Sequence, residues 1–445
     1  MSSKLNAIIT VGPALAHKEL SSPSTGRAPY IQDIDLGPTA LAILGKKAPA
    51  SMVGQPATTV ARQGQLAATI SSYKESNSAA QAHVWIASRF FTVMSIVAAL
   101  AMLGLSMVIV FRWQPRPVII VAAVGAGLLP TASLLVHLVP WWRASSPGTA
   151  IIGATAGALI VLTGISFAGP WRRSILGPPL VAAALTTAIL TIDVLTGSHL
   201  QLNSPLGYDA IVAGRFSGFG NLTFSMFAAT TMLLVAAGCR LADGAKARVF
   251  LIVGSCAIAT IALTGAPAAG SDFGGVISLV PAMLILALIA ANVRVSATKL
   301  ILGLLGGAVV VMAIAFADYL RPADSQTHLG RFVGQLLDGS ARTVINRKLQ
   351  ANLGLLTKSV FTLLTILLIV MLIVLLRDRH RAVQRSIKVY EPYALAAVVS
   401  IAIVTIVGFA VNDSGVALIG GSTAVVVPLL LCIVSRHARD NELVS

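Results

Sequence analysis

The sequence predicts an all-α polytopic membrane bundle of about 11 transmembrane helices, preceded by a short N-terminal extracytoplasmic α/β fragment. Three observations predict it. Hydrophobic residues make up 56% of the 445 residues and charged residues only 11%, whereas a soluble domain carries about a quarter charged. Apolar stretches near the ~20 residues that a bilayer requires recur from Phe90 onward. The short loops between them alternate between rich and poor in Lys and Arg.

Residues 1 to about 89 are not membrane-like, and Met1 does not open a signal peptide. Within them, Asn6 to Gly12 reads as a strand, and Ser22 to Arg27 as a loop. Asp35 to Gly45 reads as a capped helix ending at glycine. One strand and one short helix cannot bury a core alone. Residues 61–89 read as a linker.

The expected spans are 90–111, 118–138, 149–167, 179–195, 222–238, 249–264, 276–291, 300–316, 359–376, 393–411 and 415–434. Small residues in spans two to eight predict close helix approach. The Leu, Ile and Val of span nine, Val360 to Leu376, predict a lipid-facing helix. A tight turn at Asn412-Asp413 joins the last two spans.

Charge sets the expected orientation. One set of short loops and the tail carries 16 Lys and Arg, from Arg112 to Arg439, and the alternate short loops carry only Arg143 and Arg215. The basic set is therefore expected in the cytoplasm, with the N-terminus outside, the C-terminus inside and the loop 317–358 outside. This is the layout expected of a multi-pass plasma-membrane protein. The net charge of +16 is explained in the same way. Nucleic acid is not expected as a partner, because no basic stretch is interleaved with aromatics. Membrane lipids are expected partners, and the basic run Arg377 to Lys388 suits anionic lipid. Cys239, Cys256 and Cys432 form no CxxC pair and read as small apolar residues.

With so little polar sequence, the polar clusters are where chemistry is expected, and all fall on the outer side. Asp318 to Arg331 is the strongest. Its Arg321 and Arg331 suit a phosphate clamp, and His328 an acid or base near neutral pH. Asp324, His328 and Arg331 are the expected catalytic residues, with Arg321 and Gln326 as substrate ligands. The same stretch also reads as a solvated loop. The spacing of Asp318, Asp324 and His328 is irregular for a metal, so no metal or cofactor is assigned. Arg215 to Asn221, rich in glycine, opens span five as an anion-binding turn or as a turn capped by Asn221. Asp272 sits among Gly270, Gly274 and Gly275, in a concave loop or a surface turn. Asp413 either closes the outer constellation or only makes the turn. Arg215, Asn221, Asp272 and Asp413 complete the expected substrate-binding set. Asp193 lies near the outer end of span four, where an ionisable residue marks a pathway, a pair or the interface. Trp141 and Trp142 read as an interfacial belt.

Three stretches of the N-terminal segment carry a resemblance: the run ending Val11-Gly12-Pro13, then Ser22-Pro23-Ser24-Thr25-Gly26-Arg27, then Tyr30 to Thr39 with Leu44-Gly45 and Pro49 to Gly54. Over about 50 residues it resembles the C-terminal end of alkaline-phosphatase-superfamily domains of the phosphodiesterase and phosphoglyceromutase type. In those domains the metal ligands and the nucleophile lie upstream of this run. Here only five residues do, so no metal site carries over. The resemblance implies the back end of a larger protein: a truncated gene, a misassigned start, or half of a split pair with a separate phosphatase-like domain as partner. The bundle resembles the membrane half of bacterial envelope proteins with this fusion, through Gly214 to Asn221, Gly270 to Gly275, Asp318 to Arg331 and Asn412 to Gly415. That resemblance supplies no settled chemistry.

Three functions are therefore expected. The first is an envelope protein handling a lipid-linked phosphate or sugar substrate. The second is a non-catalytic anchor for a missing or separate phosphatase domain. The third is a transporter or flippase, disfavoured because the span middles carry essentially no acid.

Overall fold

The structure, a computed structural model, describes residues 4–12, 15–49, 52, 54–242, 245–293, 297–321, 328–337, 346, 350, 352–357, 359–377, 392–412 and 414–442. The N-terminal segment holds β1 (Lys18–Ser21), α1 (Leu36–Ile43) and β2 (Thr58–Ala61). β1 and β2 pair antiparallel, with Lys18 opposite Ala61 and Ser21 opposite Thr58. The expected strand at Asn6 to Gly12 is corrected: this stretch has no strand pairing, and the strands lie to either side of α1. The helix expected from Asp35 is present, entered through a short 3-10 turn at Asp33–Asp35.

Most of the expected linker is helical. α2 runs without a break from Leu66 to Val110, so residues 66–89 are helical. At 1.5 Å per residue its polar first half projects about 36 Å beyond Phe90, where the apolar run begins. The helices that follow are α3 (Pro117–Leu134), α4 (Pro147–Ala168), α5 (Gly177–Leu195), α6 (Asn221–Arg240), α7 (Lys246–Gly265), α8 (Phe273–Ala290), α9 (Ala297–Tyr319), α10 (His328–Leu337), α11 (Val360–Arg377), α12 (Tyr393–Val411) and α13 (Gly415–Glu442).

Among the described residues, nine helices are long and apolar enough to cross a membrane: α2 to α8, α12 and α13. α9 and α11 coincide with the eighth and ninth expected spans, but their described apolar lengths are shorter, at Leu305–Tyr319 and Val360–Ile373.

Burial orders the bundle. α13 has 78% of its apolar window buried and α4 only 17%, so α13 is central and α4 peripheral. α13 packs against α2, α3 and α6, and α8 packs against α12 and α7. Small residues allow this closeness. A Cβ at Gly421 of α13 would collide with Ser225 Oγ and stand 2.7 Å from the Leu222 carbonyl, both on α6. Between spans, hydroxyls pair with each other: Thr131 with Thr186 at 2.9 Å and Thr187 with Thr230 at 2.8 Å. Such pairs satisfy polar groups that lipid cannot. The exposed apolar surface of α11 is one-sided. Leu363, Ile366 and Ile369 are exposed, whereas Phe361, Leu364 and Met371 turn into the core.

Candidate functional site

The polar loops meet at one end of the bundle in a hydrogen-bonded layer. Its centre is the connection between α5 and α6, residues 196–220. Asp193, at the end of α5, is 1% exposed. Its carboxylate accepts from Leu200 N–H at 2.7 Å and from Gln201 Nε2 at 2.9 Å. The amide oxygen of Gln201 then accepts from Gly220 N–H at 3.1 Å and Thr223 Oγ1 at 2.5 Å. One side chain thus ties the last turn of α5 to the first turn of α6. A buried carboxylate needs such donors, because desolvation would otherwise disfavour its charge.

Neighbouring connections bolt onto this centre. Phe219 N–H donates to the Gly270 carbonyl at 2.8 Å. Gly218 has φ +79°, and a Cβ there would run into the same carbonyl, so only glycine fits this approach. Arg215 reaches the carbonyls of Ser217, Gly270 and Ser271 at 3.4–3.5 Å. Asp272 caps α8, accepting from Gly275 N–H at 3.1 Å. Asn221 donates to Ser414 Oγ, linking α6 to the turn between α12 and α13. Asn352 closes the same turn. It donates to the Asn412 carbonyl at 2.6 Å and accepts from Gly415 N–H at 2.7 Å.

The N-terminal segment docks on top of this layer. Arg27 donates to the Phe216 carbonyl at 2.8 Å, and its other terminal nitrogen lies 2.6 Å from His199 Nδ1. Gln32 donates to the Ala213 carbonyl at 2.8 Å, and Leu5 N–H to Asn77 Oδ1 of α2 at 2.9 Å. Tyr30 packs on Phe216 with ring centroids 5.1 Å apart. Inside the segment, Asp35 is fully buried. Burial alone would raise its pKa. Donors from Ser24, Gln32 and Gln55 at 2.6–2.9 Å outweigh that and hold it below the usual carboxylate range. Burial also lowers the pKa of His199, and the Arg27 charge adds to this against the pull of Asp193. Burial pushes the Tyr208 phenol upward, and its hydroxyl donates to the Gly218 carbonyl at 3.3 Å.

Trp141 does not form a free interfacial belt: it is 2% exposed, packed edge-on against Trp142 and near His137. Trp142 Nε1 and Arg143 both donate to Glu75 of α2, at 3.1 and 2.9 Å. This joins the α3–α4 connection to the polar half of α2.

The stretch from Asp318 begins at the same end. Asp318 Oδ1 accepts from Arg321 at 3.1 Å, and its Oδ2 from Gly330 N–H at 2.9 Å, in the first turn of α10. Val333 of α10 is buried with Ala315, Tyr319 and Phe273, the residue after Asp272. So α10 packs on α9, in a cluster that takes in Phe273 at the start of α8. His328 and Arg331 belong to α10, three positions apart in the chain. Asp324, Gln326 and Asp413 lie outside the described residues.

The structure therefore draws Arg215, Asn221, Asp272 and Arg321 into one end of the bundle and gives each a protein partner. Sequence reasoning passed over Gln201, Asn352 and Arg27. Gln201 sat in view between His199 and Asn203. Asn352 carried no local signal, since its partners are 60 and 63 residues away.

No protein-family model, curated protein or solved structure matches the chain. The site's own geometry is therefore what bears on function. Beside the layer lies a half-open cleft of about 420 Å³ between α2, the start of α11 and the α12–α13 turn. Phe91, Leu222, Phe361 and Val416 supply apolar walls, and Ser88, Thr92, Ser359 and Ser414 supply hydroxyls.

Proposed function

We propose that this chain is a multi-pass membrane protein of the bacterial cell envelope, with 11 spans and its layered end outside. In this reading it handles a lipid-linked phosphate or sugar substrate there. The observation that carries it is the convergence of the polar connections on one end of an otherwise apolar bundle, with α10 and the cleft beside them. Asp324, His328 and Arg331 would act on the substrate, and Arg321, Gln326 and Asp413 would help hold it. Arg215, Asn221 and Asp272 bond within the layer and are half-buried or buried, so in this reading they shape the floor rather than grip the substrate, whereas Arg321, although bonded to Asp318, is exposed.

The test is loss of function in cells. Asp324→Ala, His328→Ala and Arg331→Ala should each remove the phenotype-rescuing activity of the wild-type gene at unchanged membrane level. Full rescue by all three would overturn the reading. The orientation is tested separately, by labelling single cysteines placed at Val212 and at Leu241 with an impermeant thiol reagent in intact cells. Label at Val212 alone is expected.

A second reading has its own support. The N-terminal segment is held to the bundle by Arg27, Gln32 and Leu5, yet it exposes Ile9, Val11 and Ile43. A membrane base for a separate phosphatase-like domain would have both features. Normal function after deletion of residues 1–60 would count against it.

A further inference from the structure

We infer that the cleft beside α2 is a lipid-chain site: it takes one acyl chain of an ester-linked membrane lipid, with the ester at the hydroxyls and the chain along the apolar wall.

Its position is the first argument. Ser88 and Thr92 straddle Phe90, where the polar half of α2 gives way to the apolar half. They are one turn apart on the same face. The cleft therefore sits where the polar and hydrocarbon parts of a lipid meet. On its far side α11 begins, and the exposed Leu363, Ile366 and Ile369 of α11 continue the apolar surface away from it.

Its chemistry is the second argument. None of the described residues that line it is charged. Ser414 Oγ accepts from Asn221, and Ser359 Oγ accepts from Phe361 N–H at 3.2 Å. Each hydroxyl therefore keeps its own hydrogen to donate. Two neutral donors suit an ester carbonyl; a phosphate would call for cations or several N–H groups. Below them, Phe91 and Phe361 lie with ring centroids 5.6 Å apart. Phe361 is held against Gly420 of α13, where a Cβ would collide with its ring.

Its size is the third. About 420 Å³ is near the small end of ligand sites, which run from about 300 to 1,000 Å³. That suits part of one chain, with the remainder of the lipid left in the bilayer. This deepens the proposed function by naming where the apolar part of a lipid-borne substrate rests. It depends on that reading only for calling the lipid a substrate.

The experiment uses the full chain in phosphatidylcholine nanodiscs doped with a phosphatidylcholine that carries a diazirine in one acyl chain. After illumination, labelled peptides are mapped by mass spectrometry. The expected result is label concentrated around Phe91 and Phe361, above the level on lipid-exposed α4. Thr92→Trp should reduce it about fivefold or more, which corresponds to about 1 kcal/mol. Ser88→Trp, from another exposed position, should do the same, while Ile160→Trp on α4 should not. An ether-linked analogue should label the site more weakly. Uniform labelling around the bundle, or labelling unaffected by both cleft variants, would overturn the inference. If the cleft labels as expected but Asp324→Ala, His328→Ala and Arg331→Ala all rescue fully, the lipid site stands and the substrate reading falls.

Discussion

Arg27 Nη2 lies 2.6 Å from Nδ1 of His199, although 172 residues separate them. An arginine can only donate, so His199 accepts at Nδ1 and is neutral, with its proton on Nε2. This contact, with the bond from Arg27 to the Phe216 carbonyl, fixes the N-terminal segment on the α5–α6 connection.

Acid should loosen this dock. The pKa of His199 is lowered on folding, chiefly by burial and then by Arg27. Between its folded value and about 6.5 the unfolded state binds more protons, so stability rises with pH there. The contribution is complete above about 6.5 and is lost as pH falls through the folded value. Relative to the intrinsic exchange rate at each pH, the amides of residues 22–35 should be well protected at pH 7.5 and less protected at pH 5. His199→Gln should flatten the difference, and Arg27→Ala should give low protection at both.

Gln201→Leu should be among the more damaging single changes. It removes one donor from buried Asp193 and strands Gly220 N–H, while Thr223 Oγ1 keeps the Gly220 carbonyl as its acceptor. Each unsatisfied buried polar group costs about 1–3 kcal/mol. Thermal unfolding in detergent should show a Tm several degrees lower. Thr196→Ala, whose hydroxyl bonds only to carbonyls within its own turn, should change little.

Gly421→Val should force α13 away from α6, since even a Cβ would collide with Ser225 Oγ. Overpacking of this kind costs about 1–3 kcal/mol. Gly164→Val on α4 is the contrast, because nothing lies within 4 Å of a Cβ there. Tm measurements on the two variants should separate clearly.

Asp318→Ala should release the start of α10. The carboxylate holds Gly330 N–H and Arg321 together. Losing a capping acceptor costs about 1 kcal/mol. Trypsin should cut at Arg321 and Arg331 several-fold faster in the variant, with the spanning helices still protected.

The helices were legible because spanning a membrane is an additive property of short windows. α5, α6, α7, α8, α12 and α13 fall where hydropathy put them, and the turn at Asn412 follows from local composition. The same reasoning misplaced the strand. Asn6 to Gly12 is apolar enough, but pairing is decided by a partner, and Lys18–Ser21 finds Thr58–Ala61. Residues 66–89 escaped as a helix because they are polar, and their stability comes from contacts such as Asn77 with Leu5 and Glu75 with Trp142.

The sequence by itself determined the class of this protein, the places of most of its helices and the residues able to do polar chemistry. Composition and charge carry that information locally. Only the tertiary structure decided that Asp193 is served by Gln201, that Asn352 closes a turn 60 residues away, and that Phe361 and Phe91 wall a cleft. These depend on which helices pack together, and packing is set by the fit of small residues such as Gly421 against distant backbone, a relation between positions that no single window contains.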